Sequence, residues 1–209
     1  MSKNIHACFI SYRHPGDPDA DKYVQAFVKE LKKHLAWYLP NPSVFLDSEH
    51  LGVGDFFDPK LADALFHSAC LVIFFSPCHF DPNHPYCAME YKAMLDLEQK
   101  RFGGKIDLQN QGLIFPVVFR GSVHLPEEIR CRQFEDFEDV LMYEDFEKKK
   151  SKEIERLAKR IWDCYRELYN AGAFANPDCT QFRFPDKKEI MQWINEVTPL
   201  PLMPFRRKK

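Results

Sequence analysis

Leu71-Val72-Ile73-Phe74-Phe75-Ser76-Pro77-Cys78-His79-Phe80-Asp81-Pro82-Asn83-His84-Pro85-Tyr86-Cys87-Ala88-Met89-Glu90 is the stretch that decides the fold. Its first five residues are apolar without alternation, the pattern of a strand buried on both faces. Pro77, Pro82 and Pro85 then rule out a helix, because each drives its predecessor out of the α region. From Tyr86 the spacing turns helical, with Met89, Met94 and Leu97 on one side. Glu90 therefore stands near the start of a helix, just past the C-terminal end of a buried strand. In α/β sheets that is where ligands bind.

The same rhythm continues on both sides. Residues 7–12 form a short apolar run followed by a loop through Pro18, and Asp19 or Asp21 caps the next helix. Tyr23, Phe27, Leu31 and Leu35 recur at i+4 and carry that helix to about Trp37. Residues 44–46 read as strand 2. Asp58-Pro59 places a cap before a proline at the first helical position, with Leu61, Ala62, Leu65 and Phe66 continuing the helix. Residues 113–119 are strand 4, and the missing donor at Pro116 predicts an edge or a bulge. Residues 133–137 are a short strand 5, and 151–169 an amphipathic helix. Alternating strands and helices predict an α/β, flavodoxin-like doubly wound sheet of five parallel strands in the order 2-1-3-4-5. Its switch point lies between strands 1 and 3, which gathers Tyr12, Arg13, Ser76 and Glu90 around one crevice.

Domain 1–173 is expected to hold this fold, and 174–209 a proline-rich extension with one short helix at 187–197. The last thirteen residues, 197–209, hold three prolines and four terminal cations, the composition of an extended or docked tail. A net charge of −2 gives no nucleic-acid footprint. No apolar run approaches the ~20 residues that span a bilayer, so no membrane association is expected. Seven cysteines without a CxxC pair or a signal peptide point to free thiols in a reducing cytoplasm. His79, His84 and Cys87 lie close in sequence but lack a fourth ligand, so no metal is expected.

Three segments resemble one family. Phe9-Ile10-Ser11-Tyr12-Arg13 is similar to the first box of Toll/interleukin-1 receptor (TIR) domains. Val44-Phe45-Leu46-Asp47, with Leu51 and Gly54, resembles the second box and its "BB" loop, here 48–55. Ser76-Pro77, with Cys87 three residues before Glu90, resembles the segment that carries the catalytic glutamate of TIR enzymes. The chain differs in having Tyr86 where many members have Trp, and in lacking a convincing third box. The resemblance leans toward NAD-consuming TIR domains of bacterial antiphage defence and of the animal axon-degeneration NADase.

By that resemblance Glu90 is the catalytic glutamate, and Tyr12, Arg13, Asp47, Ser76 and Cys87 line a site for NAD+ as substrate. The activity implied is an NAD+ nucleosidase, or a synthase of a cyclic ADP-ribose-type signal, switched on by head-to-tail assembly of protomers through the BB loop. A separate activator or effector chain is a further implied partner. The chemistry suits such a site. Nicotinamide leaves as a neutral molecule, and one carboxylate can stabilise the oxocarbenium-like transition state or hold the ribose hydroxyls. Tyr12 can stack on a flat ring and Arg13 can pair with pyrophosphate. The alternative is a scaffold that binds other TIR domains without turnover. A receiver-like reading is disfavoured by Arg13-His14-Pro15 where an acidic cluster would stand.

Overall fold

The computed structural model describes residues 5–13, 18–46, 57–102, 112–140, 146–175 and 182–197. Five parallel strands, β1 (Cys8–Tyr12), β2 (Val44–Leu46), β3 (Leu71–Phe75), β4 (Ile114–Val118) and β5 (Glu135–Asp136), lie in the order β2-β1-β3-β4-β5. This is the expected order. Every residue of β1, β2, β3 and β4 is buried, as unalternated apolar strands require.

Register and side-chain alternation divide the sheet into two faces. Tyr12 pairs with Phe74, and Phe74 with Val117, so these three share one face. Helix α1 (Pro18–Leu35) covers it: the ring centroid of Phe27 lies 5.3 Å from that of Phe74, and Tyr23 lies 4.6 Å from Phe119. Helices α5 (Phe146–Lys149) and α6 (Ser151–Asn170) complete that layer, with Arg156 of α6 ion-paired to Glu135 at 2.8 Å. The opposite face carries Phe9, Ser11, Ile73 and Phe75. It is covered by α3 (Tyr86–Phe102), with α2 (Phe57–Phe66) beside α3. Helix α4 (Glu127–Arg130) is a single turn after β4.

The C-terminal segment returns to this second layer. Phe182 packs 5.3 Å from Phe66 of α2, and α7 (Lys187–Val197) lies on α3 through Trp193. The tail expected to dock lies, from 198 on, outside the described residues.

Three expectations need correction. β4 is an interior strand without a bulge, although Pro116 predicted an edge. The reason is local. Leu71 N donates to the Leu113 carbonyl, so alternation turns the Pro116 nitrogen toward β5, which begins to pair only at Val117. The sheet is thus unpaired where the proline needs it to be. Helix α2 begins at Phe57, so Asp58 and Pro59 lie inside its first turn rather than at its cap; a proline there removes only an amide with no helical partner. Strand β5 holds two residues rather than five.

Candidate functional site

Strands β1 and β3 end side by side, and the chain leaves them at Arg13 and Ser76. The loop after β3 is held by its own turns. His79 N donates to the Ser76 carbonyl at 2.9 Å, and His84 N to the Asp81 carbonyl at 2.9 Å. The Asp81 carboxylate accepts from Asn83 N at 2.9 Å, the Asx turn that lets this proline-rich stretch reverse. Met89 N donating to the Pro85 carbonyl at 2.9 Å then starts α3.

Glu90 sits in the second turn of α3 and is 4% exposed. Its neighbours on the buried side of the helix are Cys87, Ala88, Tyr91 and Met94. Glutamate is almost never buried this far unless it is paired, because the carboxylate surrenders its hydration. Packing alone would favour an apolar residue here.

Two more polar groups are buried in the same layer. Ser11 pairs with Ile73 and so faces α3, and its hydroxyl has no hydrogen-bond partner among the described residues. His79, in the loop between Ser76 and Glu90, is fully buried with neither ring nitrogen hydrogen-bonded among those residues. Burial drives its pKa down to about 3, so the ring stays neutral. Beside it stands an aromatic box built on Phe80. Phe80 lies 5.1 Å from His79, 5.5 Å from Tyr91 and 5.3 Å from Trp193, and Trp193 stacks on Tyr91 at 5.4 Å. Burial pushes the Tyr91 phenol up to about 12, while the charge of Arg132 opposes that shift. Arg132 is itself fixed by Glu98 at 2.9 Å.

The fold thus carries Ser76, Cys87 and Glu90 on one β3–loop–α3 unit and sets the end of β1 beside it. Ser76 is half-buried and Cys87 buried. Arg13 is half-buried at the mouth of the strand end. The Tyr12 ring lies on the α1 face, where its hydroxyl donates to Asp21 at 3.4 Å. Asp47 and the BB loop lie outside the described residues. Among the described residues no three His, Cys, Asp or Glu are grouped to hold a metal ion. No described helix is long and apolar enough to cross a membrane.

Sequence reasoning missed Ser11, His79 and a groove. Alternation from Tyr12 was enough to turn Ser11 toward the other face, but nothing local marks His79 as buried. The groove, of about 850 Å³, runs between α2, the start of α3 and residues 182–187. Tyr86 and Met89, which flank Cys87 and precede Glu90, form part of its wall.

The profile of the TIR domain family matches residues 8–158. Among curated proteins none matches the chain. Among solved structures, the TIR domain of the Toll-related receptor TRR-2 from the lower metazoan Hydra magnipapillata is similar at 18% identity. That match covers 78% of this chain and 98% of that one, with a TM-score of 0.46.

Proposed function

This chain belongs to the TIR domain family, and from that premise we propose that it cleaves the nicotinamide–ribose bond of NAD+, with Glu90 as the catalytic carboxylate. The observation that carries the reading is the burial of that carboxylate beyond the end of β3, on a helix face otherwise made of Cys, Ala, Tyr, Met and Leu. A costly charge in such a position is accounted for by chemistry better than by packing.

In the proposed reaction the C–N bond to nicotinamide breaks and its electron pair leaves with the neutral base. The cationic ribose is stabilised by the Glu90 carboxylate. Water then bonds to the anomeric carbon and releases a proton, giving ADP-ribose. An adenine nitrogen or a ribose hydroxyl attacking in place of water gives a cyclic product. Arg13 supplies a cation for the pyrophosphate. Ser76, Cys87 and Asp47 complete the proposed pocket, while the ring of Tyr12 lies on the other, α1 face of the sheet.

Glu90 at 4% exposure is not open to solvent in the single chain. This favours activation by assembly with further TIR protomers through the BB loop, in an antiphage response within a reducing compartment. The same burial supports the second reading, a TIR scaffold without turnover. Incubating concentrated protein with NAD+ and identifying products by mass spectrometry, with Glu90→Ala as control, separates the two. Release of nicotinamide that disappears in the variant supports the enzyme, and intact NAD+ under assembly conditions leaves the scaffold.

A further inference from the structure

We propose that residues 182–187 complete a subsite for the phosphate-bearing, flat-ringed half of a nucleotide, in the groove beside the start of α3. The proposal rests on the reading of Glu90 as an NAD+-cleaving residue and assigns the part of the substrate remote from the broken bond. The chain segment that supplies this wall lies beyond the residues 8–158 matched by the family profile.

The first argument is shape and surface. At about 850 Å³ the groove falls among small-molecule sites, which run to roughly 1,000 Å³. Its wall includes Tyr86, 40% exposed at the first residue of α3, together with Phe182 and Phe184. Exposed and half-buried rings lining a concave surface suit a planar base.

The second argument is charge. Two acids and two cations line the groove, but their commitments differ. Asp186 accepts from Glu189 N at 2.8 Å and so is turned onto the start of α7. Asp63 lies 3.4 Å from His67 Nδ1. Arg183 and Lys187 are exposed and make no ion pair with any described residue. Neither cation is ion-paired to either acid, so both can turn to an anion that enters the groove. Helix α3, of 17 residues, also begins at this groove, at Tyr86, and its N-terminal amides add positive potential, whereas the start of α7 is already capped by Asp186. The combination selects an anion attached to a flat ring.

The third argument is continuity. Tyr86 and Met89 face the groove, while Cys87 and Glu90 turn inward from the same two turns of α3. A dinucleotide held in the groove would have its other half at the helix end that carries Glu90.

The test is calorimetric titration of the whole chain with ADP, at low and raised salt, beside the double variant Arg183→Glu, Lys187→Glu. Both positions are exposed, so circular dichroism should show an unchanged fold. Saturable ADP binding that weakens with salt, and weakens at least tenfold in the double variant, is expected, with KM for NAD+ rising by a similar factor. Equal ADP affinity in both proteins, or no saturable binding up to millimolar ADP, overturns the subsite. Inorganic phosphate binding as tightly as ADP overturns the part assigned to the rings. If the wild type leaves NAD+ intact while ADP binding still needs Arg183 and Lys187, the subsite stands and the Glu90 reading falls. NAD+ cleavage with unchanged KM in the double variant gives the reverse.

Discussion

The two faces of the sheet are built to different rules. Under α1 and α6 the filling is hydrocarbon: Tyr23, Phe27, Phe74, Phe137 and Phe146 meet ring to ring at 4.6–6.0 Å. The buried carboxylate on that side, Glu30, is met by Lys33 at 2.7 Å and faces His34 at 3.5 Å on its own helix. Under α3 and α7 the layer buries Ser11 and His79 without hydrogen-bond partners among the described residues, and it also holds Glu90 at 4% exposure. One face spends its area on stability, and the other tolerates polar groups that cost stability. In an α/β domain such a division separates the scaffold from the chemistry.

The largest effect should come from breaking the scaffold face. Phe27→Ala removes a fully buried ring from contact with Phe74 and Phe146 and is expected to cost about 3–5 kcal/mol in chemical denaturation. Activity per folded molecule should be unchanged. A loss of turnover at full folding would deny the division of labour.

Glu90→Ala is the opposite experiment. Turnover should fall by about a thousandfold in protein that circular dichroism shows to be folded. A marked drop in Tm would mean that Glu90 is a structural member of its layer, and the face would lose its claim to be functional.

How far the sequence revealed this division follows from where its signals lie. Strands β1 to β4 are unalternated apolar runs, and prolines at 77, 82 and 85 mark the loop, so the order β2-β1-β3-β4-β5 was legible. Strand β5 and the helices α4 and α5 are too short to show a period. Glu90 was legible because a strand end and a helix start flank it. His79 was not, because its burial depends on Phe80, which is covered in turn by Trp193 from more than 100 residues later. No local pattern announces a partner that far along the chain.

His79 supplies an intermediate effect that only the polar face should show. Its folded pKa, about 3, is far below the ~6.5 of an exposed histidine. Its contribution is therefore intact above about pH 6.5 and is lost as pH falls, because only the unfolded chain takes up the proton. Stability should decline by about 1.4 kcal/mol per pH unit from this group. In His79→Leu that component of the slope should vanish. An unchanged slope between pH 6.5 and 4 would mean that the ring is hydrated and not sealed beside the aromatic box.

The smallest expected effect is the one that bears most closely on the boundary between the faces. Tyr12 belongs by sequence to the crevice, yet it stands in register with Phe74 on the α1 side of the sheet and its hydroxyl reaches Asp21 at 3.4 Å. A hydrogen bond that long is worth little, so Tyr12→Phe should cost about 0.5 kcal/mol. If the hydroxyl serves only α1, NAD+ turnover should change less than twofold. A tenfold loss in turnover with that same small cost in stability would show the hydroxyl acting across the strand end. The crevice would then extend over the edge of the sheet, and the two faces would meet at Tyr12 and not be divided by β1.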